Sequence, residues 1–205
     1  RYHRGLRNQS AGISLAEELF PDAERITVAG SSAGGVGVAG FAPFLVRFTF
    51  GNDVDLTVFN DAGPVAVNLD DQAGIATRAA DWQFGQFYAK SCRQCDEFGQ
   101  ATGVIDWRLW VDSTVREAIY ETDGDLTNRF FLGLLADQQA WRDLIVTEHG
   151  FLNEDYPDRY KRFFVANDTS HTAIQTILFY TQTADGVTLS QWTADFLADA
   201  PGWVD

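Results

Sequence analysis

Residues 26–40 read Ile-Thr-Val-Ala-Gly-Ser-Ser-Ala-Gly-Gly-Val-Gly-Val-Ala-Gly and place Ser32 in a Gly-x-Ser-x-Gly frame directly after a β-branched apolar run. Residues 25–29 are typical of a short strand, and the small residues 33–45 are typical of a helix. A serine between such elements sits on a sharp turn with strained backbone angles, where Gly30 and Gly34 avoid side-chain collisions. The frame therefore predicts a strand–turn–helix with the Ser32 hydroxyl exposed at its tip.

In this turn Ser32 would lie at the N-terminus of the following helix, where unpaired N–H groups and the helix dipole stabilise negative charge. The N–H of Ala33 is then the natural oxyanion donor. A plain glycine-rich turn is the alternative interpretation. Phosphate binding fits less well, because no lysine follows the glycines and Gly-x-Gly-x-x-Gly is out of register with the strand end. The frame favours Ser32 as a nucleophile.

Composition restricts the class of protein and its partners. The chain has 205 residues, 45% of them hydrophobic, which suits a single domain with a substantial core. Its 29 acidic and 15 basic residues give a formal charge of −14, which disfavours nucleic acid and anionic membrane surfaces. No stretch approaches the roughly 20 apolar residues that span a bilayer. Because the chain opens on Arg1 without a signal segment and contains no methionine, we expect a processed form or a fragment.

The two cysteines, Cys92 and Cys95, are three residues apart in a polar stretch. A structural zinc site usually needs four ligands, commonly two such pairs, and no second pair exists. The pair therefore indicates either a local disulfide in a secreted protein or two idle thiols, and we favour the disulfide and an extracellular location. We predict no metal and no cofactor.

Hydrophobic periodicity predicts an α/β fold with a mostly parallel sheet, flanking helices and right-handed connections. Near-continuous apolar runs are typical of parallel strands buried on both faces. We expect one domain over residues 1–205 with an inserted cap at about 70–125, where aromatic residues and charges concentrate. The predicted strands are 25–29, 54–60, 127–135 and 160–166, and the predicted helices are 10–20, 33–45, 111–120, 137–146 and 190–197.

A nucleophilic serine needs a base and a carboxylate that orients the base. In α/β-hydrolases these follow in the chain order Ser, Asp or Glu, His, on loops after successive strands. Of the three histidines, His3 precedes the serine and His149 lies near the end of a predicted helix. His171 follows the predicted strand 160–166 by a short loop, so we assign it as the base.

The acid has three candidates. Asp137 follows the predicted strand 127–135 and therefore occupies the standard position. Asp61 follows the strand 54–60, and Asp168 lies on the histidine loop itself. Each also has a structural explanation, because an aspartate caps turns and helix N-termini. We predict Asp137 and keep Asp61 as the alternative acid.

Four segments together resemble the pectinacetylesterase family, which also contains the Notum-type carboxylesterases. They are Gly30-Ser31-Ser32-Ala33-Gly34-Gly35, Asp61-Ala62-Gly63, Asp137-Gln138-Gln139 and Ser170-His171-Thr172. The resemblance implies an α/β-hydrolase with the triad Ser32, Asp137 and His171. Family members are longer at the N-terminus, where a glycine-rich loop supplies a second oxyanion donor. We expect this chain to be the carboxyl-terminal part of such an enzyme.

The resemblance implies cleavage of carboxylic esters, with O-acetyl groups on carbohydrate as the expected substrate. A Notum-like lipid deacylase or a general carboxylesterase is the alternative enzyme, and the many phenylalanine and tryptophan residues permit an apolar pocket. The alternative outside catalysis is a carbohydrate-binding module with Trp82, Trp107 and Trp110 as a platform. All these hypotheses place function around Ser32 or the predicted cap.

Overall fold

The computed structural model describes residues 4–205 and is built around a four-stranded parallel sheet in the order β1-β2-β3-β4. The strands are β1 (Arg25–Ser31), β2 (Asp55–Asp61), β3 (Arg116–Thr122) and β4 (Tyr160–Val165). A short antiparallel pair, β5 (Thr183–Ala184) and β6 (Val187–Thr188), follows near the end of the chain. All four strands of the main sheet are parallel, so their carboxyl ends meet at one edge.

Nine α-helices and a short 3₁₀ helix, Phe84–Phe87, connect the strands of the described chain. The helices are α1 (Gly5–Leu19), α2 (Ala33–Gly40), α3 (Ala42–Phe50), α4 (Gln72–Trp82), α5 (Thr102–Val111), α6 (Leu126–Phe131), α7 (Gln138–Asp155), α8 (Leu178–Thr181) and α9 (Leu189–Ala198). The predicted α/β class and the strands at 25–29, 54–60 and 160–166 are thus confirmed. The predicted helix 33–45 is two helices, with Pro43 in the first turn of the second.

Two predicted elements are wrong, and both concern the third strand of the sheet. Residues 127–135 do not form a strand, because the carboxylate of Asp125 accepts a hydrogen bond from Asn128 N and begins helix α6 there. The predicted helix 111–120 is instead replaced by β3, which starts at Arg116. The polar residues of β3 hid its burial, since Arg116, Glu117 and Glu121 are all buried.

The sheet separates two hydrophobic clusters because successive side chains of a strand point to opposite faces. Leu56, Val58 and Ile119 pack on one face with residues of α2, α3, α5 and α7. Phe59, Tyr120 and Phe163 pack on the other with Trp192 and Phe196 of α9. Helices on both faces of a parallel sheet form a three-layer α/β domain.

The region 70–125, expected to be a cap, includes the central strand β3 and the buried helix α5. The N-terminal part of this region contains α4 and the 3₁₀ helix. Here the ring of Phe41 contacts the rings of Phe84, Phe87 and Tyr88. A disulfide joins Cys92 to Cys95, and both sulfurs lie 3.8 Å from the carbonyl oxygen of Gly103 at the start of α5. A cap role for residues before α5 stays a prediction.

Helix α2 carries the predicted nucleophile at its start and is held at its end by a buried ion pair. Arg108 of α5 donates to both carboxylate oxygens of Glu117 on β3, at 2.6 and 2.7 Å. The same guanidinium donates to the carbonyl oxygens of Ala39 and Gly40, at 2.6 and 3.1 Å. Arg108 therefore neutralises Glu117 and pairs the last carbonyls of α2.

We expect Arg108→Met to destabilise the fold by about 3–5 kcal/mol, because it leaves Glu117 buried without a counter-ion. Changing Glu117→Leu as well should recover much of the loss, since the uncompensated charge is gone. Urea unfolding measures both, with Arg25→Met as the control. The Arg25–Asp55 ion pair is largely solvent-exposed, so its loss should cost less than about 1 kcal/mol. Equal losses for Arg108→Met and Arg25→Met would contradict this role.

No single helix in residues 4–205 is long and apolar enough to cross a bilayer. Helices α2 and α3 meet that test of length and composition only as a pair bent by 47°.

Candidate functional site

Ser32 lies on the sharp turn between β1 and α2, in a backbone conformation that side chains rarely adopt. Its φ and ψ are 56° and −122°, and α2 begins at Ala33. The amide of Ser32 donates to the carbonyl oxygen of Asp61 on the neighbouring strand, at 2.8 Å. Strain of this kind persists only where the surroundings enforce it, and it is typical of the turn that the Gly-x-Ser-x-Gly frame predicts.

Of the two glycines predicted to avoid collisions at this turn, only Gly30 has that role. A Cβ on Gly30 would lie 2.3 Å from the carbonyl oxygen of Gly34, so Gly30 is required as expected. A Cβ on Gly34 itself would meet nothing within 4 Å, and the collision predicted there is therefore wrong. The second close approach is at Gly35, where a Cβ would lie 2.2 Å from Asn60 Oδ1 and 2.8 Å from Gly63. Gly35 thus lets α2 pack directly on the turn after β2.

Ala33, predicted as the oxyanion donor, is the first residue of α2 and is solvent-exposed. The first N–H groups of a helix have no partner within it. The N–H of Ala33 is therefore placed to donate to a bound carbonyl oxygen beside Ser32. Whether it does so in a reaction stays a prediction.

His171 pairs with Asp125, a residue that sequence reasoning missed. Its Nδ1 lies 2.6 Å from Asp125 Oδ2, while the Asp125 side chain is fully buried and that of His171 is 18% exposed. His171 Nε2 is itself buried and has no hydrogen-bond partner in the described part of the chain. A carboxylate on Nδ1 fixes the tautomer that leaves Nε2 free to accept a proton.

The structure does not bring Asp137 to His171. Asp137 is exposed and caps α7, because its side chain accepts a hydrogen bond from Ala140 N at 2.9 Å. The assignment of Asp137 followed from the wrong strand at 127–135. With β3 ending at Thr122, the acid position in the chain order falls on the next loop, which holds Asp125. A search for an aspartate after β3 that also caps a helix would have found it.

Asp61, the alternative acid, joins the elbow to the histidine loop without touching His171. Its carboxylate accepts a hydrogen bond from Ser31 Oγ at 2.5 Å. It also accepts bonds from the amides of Ala173 and Ile174, at 2.7 and 3.2 Å. Since the Asp61 carbonyl holds Ser32 N, this one residue ties Ser32 to the segment that follows His171.

The histidine loop is also held against the turn after β3. Thr122 Oγ1 donates to the carbonyl oxygen of Ser170 at 2.8 Å. A Cβ on Gly124 would lie 2.6 Å from the carbonyl oxygen of Asp168, so only glycine fits between the two loops. Asp168 is a loop stabiliser: although its partial burial acts to raise its pKa, hydrogen bonds from Ser170 and Gln182 lower the pKa overall.

Asp125 is surrounded by further hydrogen-bonding groups. Its Oδ1 accepts from Asn128 N at 2.9 Å, and its Oδ2 accepts from Asn128 Nδ2 at 3.1 Å. Asn128 Nδ2 also lies 3.0 Å from Glu121 Oε2 and 3.1 Å from the carbonyl oxygen of Ala62. Burial, followed by the neighbouring Asp125, raises the pKa of Glu121 well above its ordinary value.

His149 is not part of this constellation. His149 is buried in the core, with Nδ1 2.7 Å from Tyr160 Oη, and burial lowers its pKa to about 3. It is therefore a neutral core residue. His3, excluded on chain order, lies outside the described residues. Within residues 4–205 no cluster of histidine, cysteine, aspartate or glutamate could hold a metal ion.

An apolar cavity of the described chain lies away from this constellation. It has a volume of about 740 Å³ and runs along the exposed edge of β1, between α1 and α3. Its lining is mostly apolar and includes Ile13, Ile26 and Phe50, with no residue of the Ser32, Asp125 and His171 set.

Exposed apolar side chains lie close in sequence to Asp125 and His171. Phe130, Phe131, Ile177 and Tyr180 are each more than 60% exposed.

Comparison with known proteins gives a match of fold. No family model matches the chain. No curated protein matches its sequence. Among solved structures, the chain is similar to the Wnt deacylase Notum from Drosophila, with a TM-score of 0.55 and 14% sequence identity over 85% of this chain. The chain spans 55% of that Notum chain. It therefore has a Notum-like α/β-hydrolase fold, with its candidate site at the carboxyl edge of the sheet.

Proposed function

We propose that this chain carries the Ser-His-Asp triad of a carboxylic-ester hydrolase, formed by Ser32, His171 and Asp125. The contact of 2.6 Å between His171 Nδ1 and the buried Asp125 carboxylate carries the proposal. That contact lies at the same sheet edge as a serine in a strained elbow conformation. A titratable pair and a strained nucleophile at one edge of a sheet are the groups that acyl transfer needs.

The proposed reaction follows from these roles. His171 Nε2 takes the proton of the Ser32 hydroxyl as its oxygen attacks the ester carbonyl carbon. The N–H of Ala33 donates to the oxyanion, and Asp125 stabilises the imidazolium. The imidazolium then gives its proton to the alcohol oxygen as the bond between that oxygen and the carbonyl carbon breaks. The alcohol departs, and the acyl group stays on Ser32 as an acyl-enzyme. Water attacks the acyl-enzyme with His171 again as base, and the carboxylic acid and free Ser32 are released.

The mechanism is tested by labelling with a fluorophosphonate probe, which reacts with an activated serine and reports no other property of the fold. We expect mass spectrometry to find the adduct on Ser32. Ser31 is the internal control, because its hydroxyl donates to the carboxylate of Asp61 and not to a histidine. An adduct on Ser31 alone, or equal labelling after heat denaturation, would contradict the proposed nucleophile.

For the substrate we propose O-acetyl esters of carbohydrate, with an extracellular location. The resemblance of the Ser32 and His171 segments to pectinacetylesterases supports the acetyl group. The disulfide between Cys92 and Cys95 supports an oxidising compartment. The second candidate is a lipid deacylase, which the exposed apolar side chains Phe130, Phe131, Ile177 and Tyr180 favour.

The length of the preferred acyl chain distinguishes an O-acetyl esterase from a lipid deacylase. Because an acetyl esterase needs only a small acyl site, we expect p-nitrophenyl acetate to be hydrolysed with a higher kcat/KM than the octanoate. The matched variant is Phe131→Ser, which removes an exposed apolar side chain beside the acid loop. A preference for octanoate that Phe131→Ser abolishes would assign the lipid substrate instead. Polysaccharide binding through exposed tryptophans such as Trp110, without Ser32 labelling, would favour a binding module.

A further inference from the structure

The carboxyl groups of Glu121 and Asp125 form a buried pair behind His171. Glu121, at the end of β3, is 1% exposed and Asp125 is fully buried. Both carboxyl groups accept from one side-chain amide, since Asn128 Nδ2 lies 3.0 Å from Glu121 Oε2 and 3.1 Å from Asp125 Oδ2. Two carboxylates this close together inside a protein repel strongly, and the repulsion is removed when one of them takes up a proton.

The groups around these two carboxyl groups are hydrogen-bond donors. Among the described residues, only His171 could supply a positive charge to the pair. Glu121 Oε1 accepts from Thr122 N at 3.1 Å, and Asn128 Nδ2 is shared between Glu121 and Asp125. In the described part of the chain, no lysine or arginine nitrogen comes within 4.0 Å of either carboxyl group. The nearby guanidinium of Arg129 donates instead to the carbonyl oxygens of Gly124, Leu134 and Leu135. Two negative charges would therefore lack compensation unless His171 were protonated.

We propose that Glu121 holds the single proton of this pair and, as a neutral donor to Asp125, positions the carboxylate that orients His171. The proton belongs on Glu121 because Asp125 has the better partners for a negative charge. Asp125 accepts from His171, from Asn128 N and from Asn128 Nδ2. Glu121 has only Thr122 N and a share of Asn128. A neutral Glu121 then completes the hydrogen bonds of Asp125 without adding charge.

Glu121 is thus a positioning residue, since it acts through Asp125 and does not touch His171. The inference rests on the proposed function for its catalytic consequence, but the location of the proton does not depend on it. Asn128 fixes the geometry because its side-chain amide reaches Glu121, Asp125 and the carbonyl oxygen of Ala62 together. That amide links the ends of β2 and β3 to the start of α6.

Infrared spectroscopy locates the proton whether or not the chain is an enzyme. At pH 7 we expect the carbonyl stretch of a protonated carboxylic acid, shifted by ¹³C-labelled glutamate and absent in Glu121→Gln. The control Glu148→Gln should keep the band, because Glu148 is a partly buried glutamate bound to Thr102 on another helix. Absence of the band in the wild-type chain, or a shift with ¹³C-labelled aspartate instead, would overturn the assignment.

Stability provides a second test that does not need activity. A buried group with a raised pKa keeps its proton in the folded chain after the unfolded chain has lost it. The wild-type fold should therefore lose stability as the pH rises above 4.5, the ordinary value for glutamate. The unfolding constant of the wild type relative to Glu121→Gln should rise about tenfold per pH unit in that range. A pH-independent ratio would contradict a protonated Glu121.

The kinetics of two variants test whether Glu121 has this positioning role. Glu121→Gln keeps a neutral donor, so we expect near wild-type kcat and an unchanged acid limb of the kcat/KM profile. Glu121→Leu should lower kcat by about 10–100-fold, as the loss of an outer partner of a functional group does. A shift of the acid limb to lower pH in Glu121→Gln would mean that an ionised Glu121 was lost. That shift would overturn the proposal while leaving the triad itself intact.

Discussion

Replacing Ser32 with alanine is expected to lower kcat for p-nitrophenyl acetate on the order of 10⁶-fold, as loss of the nucleophile does in a triad hydrolase. The physical reason is that no acyl-enzyme forms without the hydroxyl, whereas the fold is unaffected. Alanine keeps a Cβ at the same strained position, with φ at 56°. Residual catalysis would come from substrate binding and the N–H of Ala33.

Ser31→Ala is the matched control for this experiment. Ser31 has the same side chain one residue earlier, but its hydroxyl donates to Asp61 Oδ2. We expect Ser31→Ala to keep most of the activity and to lose some stability through the lost hydrogen bond to Asp61. Undiminished turnover in Ser32→Ala would exclude Ser32 as the nucleophile, and an equal loss in both variants would indicate damage to the elbow.

The second large effect is expected at Asp125, where replacement by asparagine should lower kcat by about 10⁴-fold. Asparagine keeps the shape and can still accept from Asn128 N, so helix α6 should begin as before. It cannot hold His171 in the tautomer that leaves Nε2 free, because its amide group can donate toward Nδ1. The loss should therefore appear in kcat without a matching loss of stability.

The variant Asp137→Asn distinguishes Asp137 from Asp125 as the candidate acid. Asp137 caps α7, and asparagine caps a helix about as well as aspartate, so this variant should keep both stability and activity. Circular dichroism and urea unfolding would establish that both variants are folded. A loss of activity in Asp137→Asn with a fully active Asp125→Asn would return the acid role to Asp137.

Much of this architecture could be predicted because it depends on local pattern. The β-branched run before Ser32 and the apolar runs at 54–60 and 160–166 indicated three of the four sheet strands. The Gly-x-Ser-x-Gly frame indicated the elbow, and Gly30 proved to be sterically required. Chain order restricted the choice among the few histidines to His171, and its role as the base stays a prediction.

The pairing of Asp125 with His171 could not be predicted in this way, because β3 does not look like a buried strand. Its run Arg-Glu-Ala-Ile-Tyr-Glu-Thr contains three residues of charged type, and their burial depends on partners outside the strand. Glu117 pairs with Arg108 of α5, Arg116 pairs with Asp55 of the neighbouring strand, and Glu121 accepts from Asn128 of α6. The residue types of β3 alone do not show that such partners exist.

The sequence by itself determined the class of fold and the position of the strained serine, and it predicted His171 as the base. The reason is that apolar runs, a glycine at position 30 and the order of residues along the chain can all be read from the sequence. Only the tertiary structure decided which carboxylate faces His171. That choice depends on where β3 ends and on the close packing of Gly124 against Asp168, which bring Asp125 and His171 together across 46 residues. Burying a charged side chain costs free energy unless a hydrogen-bonding or oppositely charged partner lies beside it. The packing of segments that are far apart in the chain decides which partner that is.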